Sequence, residues 1–189
     1  MTEGTREALI SAAAALLDLG GPAAVTLRQV GRAAGVSHNA PYKHFADKED
    51  LLAAVASREL QRQAQGRSRA HTSSPPPGEV LKARMRGYVR WAQRHPERFK
   101  LTFGRWAHSN DELGVAATEA RAQSVAAVVA AQEAGQAPAG DPERVAALVL
   151  ALAHGAADLA LSGHLARDGR GHASAEDLID DLFALFAAR

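Results

Sequence analysis

Residues 26–52 read Thr-Leu-Arg-Gln-Val-Gly-Arg-Ala-Ala-Gly-Val-Ser-His-Asn-Ala-Pro-Tyr-Lys-His-Phe-Ala-Asp-Lys-Glu-Asp-Leu-Leu. Thr26, followed three residues later by Gln29, has the spacing of a capping box, which predicts a short helix that ends at Gly35. A second helix is predicted to begin at Ser37. Two helices joined by a glycine-containing turn within about twenty residues are typical of a helix-turn-helix.

The turn contains the residue types that a close crossing of two helices requires. Gly35 supplies backbone freedom, and the small residues Gly31 and Ala34 let the helices approach each other. Val30 and Val36 can pack between them. Each of these residue types therefore suits the close packing of the two predicted helices.

The composition favours helices and excludes several classes of protein. The 189 residues include 43 alanines, 5% aromatic residues and no cysteine, so we predict an all-α fold. The absence of cysteine excludes disulfide frameworks, thiolate nucleophiles and cysteine-ligated metal centres. The first residues lack the apolar core of a signal peptide, and the later apolar stretches are expected to be too short and too polar to span a bilayer. We therefore expect a cytoplasmic protein with no membrane partner.

Charge is unevenly distributed although the net charge is only +1. Residues 1–66 contain seven basic and seven acidic side chains, residues 67–100 nine and two, and residues 101–189 six and twelve. This asymmetry is compatible with a nucleic-acid contact, and equally with solvated helix faces. Charge alone does not choose between them.

Apolar periodicity predicts helices along most of the chain. They lie at 5–19, 27–34, 47–65, 80–93, 113–134 and 145–165, with a last helix after residue 174. Residues 67–78 end in a proline run and are predicted to form a flexible connector. The predicted domains are a helix-turn-helix domain at 1–47, a connecting helix at 48–66 and, after the connector, a helical-bundle domain at 79–189.

The segment from Thr26 to Leu52 resembles the DNA-binding domain of the tetracycline-repressor-like (TetR) family of bacterial transcription regulators. The resemblance is carried by Ala34-Gly35-Val36-Ser37, Tyr42, His44-Phe45 and Lys48-Glu49, and the preceding helix fits as well. The remainder resembles the branch of that family with a Trp-His-Gly signature, through Tyr88, Trp91, His95–Phe99, Phe103-Gly104 and His154-Gly155. The chain departs from this signature at Leu150, where the tryptophan is expected.

The residues expected to contact DNA follow from this resemblance and from side-chain chemistry. They are Thr26, Ser37, His38, Asn39, Tyr42, Lys43, His44 and Lys48. His38 and Asn39 are the candidates for base contacts, because an asparagine can hold adenine by two hydrogen bonds. Lys43 could reach either a base or a phosphate, and the others are expected to hold phosphates or helix ends. Taken singly, Thr26 and Ser37 could be plain helix caps.

The family implies a homodimeric repressor that binds a double-stranded DNA operator and whose C-terminal domain binds a small-molecule effector. The candidate effector contacts are Trp91, Phe103, Trp106, His154 and Asp158, although the aromatic residues could equally be core. The apolar helices at 143–165 and 175–188 are expected to pair with their copies in a four-helix interface that buries Leu178, Leu182 and Leu185.

A metal or catalytic reading has weak support. His154 and Asp158 share one helix face, a spacing that could hold a metal or form an acid–base pair. A third ligand at a convincing spacing, a nucleophile elbow and a phosphate-binding loop are all missing from the sequence. We therefore expect no enzyme, no metal and no cofactor. The alternative is a helical small-molecule-binding protein or enzyme whose helix-turn-helix does not bind DNA.

Overall fold

The described part of the chain is built from α-helices. The computed structural model describes residues 2–65 and 75–188. Within these residues there are eight α-helices and no β-strand. They are α1 (Thr2–Gly20), α2 (Leu27–Ala33), α3 (Lys48–Ala64), α4 (Pro77–Arg94), α5 (Pro96–Thr102), α6 (Asp111–Glu133), α7 (Pro142–Leu161) and α8 (Ala175–Ala187). The predicted all-α class is confirmed.

The helices form two compact units that are not contiguous in sequence. The first unit comprises residues 1–62 and 95–118, and the second comprises residues 63–94 and 119–189. Most of the predicted connector, residues 67–74, lies outside the described residues. Its last two residues belong to α4, because a proline is well tolerated in the first turn of a helix. The domain boundaries given above remain a prediction.

The first unit packs α1, α2 and α3 around one apolar core. Its fully buried side chains include Leu9, Ile10, Leu17, Val25, Val30, Leu51 and Val55. The hydroxyl of Thr26 accepts from the backbone N–H of Gln29 at 3.2 Å, so the predicted cap of α2 is present. Asp47 accepts from the N–H of Asp50 at 2.9 Å and starts α3 as expected. These two caps set the ends between which the turn segment is held.

The predicted second helix of the motif is wrong as an α-helix. Residues 36–40 form loop and turn, and only Pro41–Lys43 is helical, as a single 3₁₀ turn. Proline has no N–H, so residue 41 cannot donate to the carbonyl of Ser37, and the N–H of Ala40 bonds to that carbonyl instead at 2.9 Å. The segment is thus a run of tight turns, which the helical pattern did not reveal.

The second unit packs α4 against α7 and α8. Its core includes Leu81, Val89, Val149, Ala153 and Ile179, each at most 1% exposed. Helix α8 begins with a complete capping box, in which the side chains of Ser174 and Asp177 each accept from the other residue's backbone N–H. Arg86 and Arg90 of α4 add ion pairs to Glu176 and Asp180 of α8. These interactions fix α4, which contains Trp91, one of the aromatic residues of the predicted effector site.

Helix α7 is long and apolar enough to cross a bilayer by length and composition. The expectation that every apolar stretch is too short or too polar is therefore wrong for this helix. Its buried residues are Ala146, Val149, Ala153, Ala156 and Ala157, which face α4 and α8. Only 28% of this apolar stretch is buried within the described residues, so its apolar content comes from its exposed side as well as from its buried stripe.

Candidate DNA-binding surface and effector site

The turn of the motif is held by close backbone packing. Gly35 has φ +66°, a left-handed conformation that glycine adopts without strain. Gly31 is buried in α2, and a Cβ at this position would lie 2.8 Å from Cγ of Pro41. The ring of Pro41 therefore rests directly on the backbone of α2. The predicted close crossing at Gly31 is present, but its partner is a 3₁₀ turn.

The candidate base-reading residues lie on the exposed side of this turn. The two candidates, His38 and Asn39, are exposed, as is the neighbouring Ser37. Nδ1 of His38 lies 3.2 Å from Oδ1 of Asn39, and the rings of His38 and Tyr42 are 6.0 Å apart. The side chains of His38, Asn39 and Tyr42 thus form one small polar group, with donors and acceptors open to solvent. Such a group can reach base edges without first breaking a buried contact.

The candidate phosphate-binding residues differ in solvent exposure and in the hydrogen bonds that they already make. Tyr42 is 53% exposed and Lys43 is exposed, whereas His44 is half-buried. The amino group of Lys48 donates to the backbone carbonyl of Pro22, and the hydroxyl of Thr26 is engaged in the cap of α2. Tyr42 and Lys43 are therefore the side chains best placed to contact phosphates. Thr26 caps α2, and Lys48 joins the start of α3 to the carbonyl of Pro22.

Sequence reasoning did not single out the arginines of α2. Arg28 lies in the first turn of this helix, two residues after the cap, and Arg32 lies one turn later. Both are exposed. A cation near a helix N-terminus adds to the positive end of the helix dipole, which favours a phosphate there. Their position directly after the cap was visible in the sequence and could have identified them.

A charged group in the first unit was also missed. Glu59 of α3 is 2% exposed and accepts from the guanidinium of Arg98 at 3.2 Å. Arg98 of α5 also donates to the two carboxylate oxygens of Asp18 on α1, at 3.0 and 2.6 Å. Nδ1 of His95 lies 3.3 Å from the same carboxylate. Arg98 therefore joins α1, α3 and α5, and its partners lie 39 and 80 residues away, which no local pattern could show.

Three of the five predicted effector residues lie in the second unit. His154 is half-buried, and its Nδ1 lies 2.9 Å from the hydroxyl of Tyr88. Burial raises the pKa of Tyr88, so the phenol keeps its proton at neutral pH. Trp91 is half-buried with its ring 6.0 Å from the ring of Tyr88, whereas Asp158 is exposed. Tyr88 is the buried centre of this group, although the sequence left it open between core and ligand contact and it was not among the predicted effector residues.

The other two predicted effector residues, Phe103 and Trp106, belong to the first unit. Phe103 is 39% exposed and lies beside Phe99, with ring centroids 5.8 Å apart. Trp106 packs against the core of this unit and lines two surface grooves of about 270 and 450 Å³, together with Leu101 and Arg105. The five residues are thus divided between the units, and an effector site that uses all of them remains a prediction.

Family models match both ends of the chain. The model of bacterial regulatory proteins of the tetR family matches residues 9–55, which include the turn and its flanking helices. The model of the tetracyclin repressor-like C-terminal domain matches residues 81–182. No curated protein sequence matches the chain.

Solved structures share the fold over nearly the whole chain. A protein of unknown function from Rhodococcus sp. RHA1 is 31% identical with a TM-score of 0.80, over 96% of this chain and 93% of that one. The transcriptional regulator FadR from Bacillus subtilis, in complex with stearoyl-CoA, is 12% identical with a TM-score of 0.71, over 95% and 96%. AibR, in complex with isovaleryl coenzyme A and operator DNA, is 17% identical with a TM-score of 0.65, over 96% and 97%.

The two kinds of comparison carry different weight. At identities of 12% and 17%, FadR and AibR support the fold alone. The match to the C-terminal family model covers more than half of the 189 residues, and the N-terminal match covers the turn motif described above. The chain therefore belongs to the tetracycline repressor family of bacterial regulatory proteins, and it is a DNA-binding transcriptional regulator.

Proposed function

We propose that the protein is a cytoplasmic, non-enzymatic repressor that binds a near-palindromic operator as a homodimer and leaves it when a small molecule occupies the C-terminal domain. The observation that carries this proposal is the exposed polar group Ser37–Asn39 on a turn that is packed rigidly against α2. A rigid turn with exposed donors and acceptors suits base readout, because little conformational entropy is lost on binding.

The homodimer is supported by apolar residues that one chain leaves uncovered. On α7, Leu148 is 57% exposed and Leu159 is 45% exposed, and their separation of eleven residues places them on one helix face. On α8, Leu185 is 68% exposed, which agrees with the interface proposed for it. Leu182, at 9% exposed, already belongs to the core of the single chain, so it is not available to a partner. A two-fold axis would cover the exposed leucines of both helices.

An effector is supported by the group around Tyr88 and by the fold. FadR and AibR, which share the fold, were solved with acyl-coenzyme A molecules bound. In this chain the aromatic rings of Tyr88 and Trp91 and the imidazole of His154 lie together on α4 and α7. We infer that an apolar or partly aromatic molecule binds beside them and favours a dimer conformation with lower operator affinity.

The test is a fluorescence-anisotropy titration with the DNA that flanks the gene. Asn39→Ala should weaken binding by about 1–3 kcal/mol and relax preference at particular bases. Lys43→Ala should weaken all sequences alike and reduce the salt slope by about one unit. Lys100→Ala, an exposed lysine of α5 paired with Glu97, is the matched control and should change neither.

Two outcomes would count against the proposal. If both motif variants bind flanking DNA as the wild type does, the turn does not read DNA, and the alternative of a helix-turn-helix with only a packing role is favoured. If the complex forms with a single chain on a full-length operator, the homodimer is wrong.

A further inference from the structure

Two buried hydrogen-bond donors of the second unit lack an acceptor among the residues that the structure describes. Nε of Arg84, on α4, is inaccessible to solvent and makes no hydrogen bond. The same is true of Nε2 of Gln63, in the last turn of α3. Arg84 and the end of α3 are in contact, because the guanidinium donates to the carbonyl of Ala64, the neighbour of Gln63, at 3.3 Å. Buried N–H groups without an acceptor are rare in folded proteins, so the pair calls for a missing acceptor.

Arg84 also differs from the neighbouring arginines of α4 in its electrostatic environment. Arg86 and Arg90 both pair with Glu176, at 3.0 and 3.1 Å. Arg84 has no carboxylate within ion-pair distance in the described residues, and burial alone lowers its pKa. Residues 66–74, which follow α3, contain no acidic side chain. A half-buried guanidinium with only a neutral carbonyl as partner is costly, and an anion would offset that cost.

The position of Arg84 relates it to the aromatic group described above. Arg84, Tyr88 and Trp91 are spaced by four and three residues on α4, so they lie along one face of the helix. Arg84 is at one end of this row and Trp91 is at the other. The row therefore presents a cation at one end and aromatic rings further along, with His154 bonded to the central phenol.

We propose that this row is the effector site and that the effector is a monocarboxylate with an apolar or aryl body. Its carboxylate accepts from the guanidinium of Arg84 and the amide of Gln63, and its body lies along Tyr88 and Trp91. One guanidinium and one neutral amide match a single negative charge. A phosphate or a coenzyme A group, with two or more charges, would leave charge uncompensated. This inference rests on the proposed effector response and adds the chemical class of the ligand.

The test compares carboxylates with neutral molecules of the same shape. The probes are octanoate and phenylacetate, with octanamide and phenylacetamide as neutral counterparts and octanoyl-coenzyme A as the multiply charged one. Binding to the full-length protein is measured by calorimetry and by the shift in melting temperature. We expect at least one carboxylate to bind, and its amide to bind about 10- to 100-fold more weakly, as loss of a charge-assisted hydrogen bond implies.

Variants locate the carboxylate on the row. Arg84→Gln should weaken carboxylate binding about 10- to 100-fold and leave the weak amide binding unchanged, whereas Arg90→Gln, on the same helix, should change neither. If Arg84→Gln does not fold because the guanidinium holds the end of α3, Gln63→Leu serves instead. It removes an unpaired buried donor, so it should raise the melting temperature of the free protein and still weaken the carboxylate.

Three results would overturn the proposal: equal binding of a carboxylate and its amide, tighter binding of the coenzyme A thioester than of octanoate, or no binding of either carboxylate. In each case Arg84 only caps α3. The operator titration separates this failure from failure of the proposed function. A neutral ligand that releases DNA would leave the repressor intact and refute only the carboxylate, whereas a carboxylate that binds without changing DNA affinity would refute the effector response.

Discussion

Replacement of Gly31 by alanine tests whether the turn segment is held by contact with α2. The added Cβ would lie 2.8 Å from Cγ and 3.4 Å from Cδ of Pro41. A proline ring has little freedom to move aside, so α2 and the 3₁₀ turn must separate by several tenths of an ångström. The exposed residues of the turn would move with it, and the DNA-reading surface would change shape.

Two opposing effects determine the size of the change. Alanine is favoured over glycine inside a helix by about 1 kcal/mol, and overpacking a buried contact costs about 1–3 kcal/mol. Gly114, in α6 of the same unit, supplies the matched control, since nothing lies within 4 Å of a Cβ added there. Gly114→Ala should stabilise the protein by up to about 1 kcal/mol. Gly31→Ala should be less stable than this control by about 1–3 kcal/mol.

The assay combines urea denaturation with operator titration. Gly31→Ala should reduce the free energy of operator binding by more than it reduces the free energy of unfolding, because the turn is displaced even in the folded protein. Adding Pro41→Ala removes the atom that collides, so the double variant should recover most of both losses relative to Pro41→Ala alone. Equal free energies of unfolding for Gly31→Ala and Gly114→Ala, with unchanged DNA affinity, would refute the proposed contact.

Three further predictions concern charge and assembly. Arg98→Gln removes one of the two arginines that pair with the buried carboxylate of Glu59 and leaves Arg62, so it should lower the free energy of unfolding in urea by about 1.5–3 kcal/mol; a loss below about 1 kcal/mol would show that the pair is effectively solvated. Leu185→Glu puts a charge on the exposed face of α8, so light scattering should report a monomer; an unchanged dimer mass would move the interface elsewhere. A hydrogen bond from Arg167 holds the pKa of Asp177 well below its usual range, so stability from this carboxylate is present at neutral pH and is lost as pH falls below about 4. Asp177→Asn should therefore reduce the fall in melting temperature over that acid range in scanning fluorimetry, and an identical acid profile would contradict the assignment.

Helix existence was predictable from the sequence because local chemistry determines it. Thr26, Asp47 and Pro142 each lie at or directly before the start of a helix where the sequence places one, since caps and first-turn prolines act over three residues. The division of the predicted effector residues between two units was not predictable in this way. It depends on α5 and the residues after it packing with α1 rather than with α4, and the chain gives no local signal for that choice.

The prediction of an α-helix from Ser37 is wrong for the same physical reason that the turn is rigid. Pro41 removes the N–H that an α-helix from Ser37 would need, and its ring fills the space that Gly31 leaves open on α2. The segment therefore takes its shape from tertiary contact and not from helix propensity, and a periodic pattern reports only propensity. A recognition element held this way is rigid at Pro41 and free at the exposed Ser37, His38 and Asn39. Base preference should consequently change through His38 and Asn39, whereas operator affinity as a whole should depend on the contact between Gly31 and Pro41.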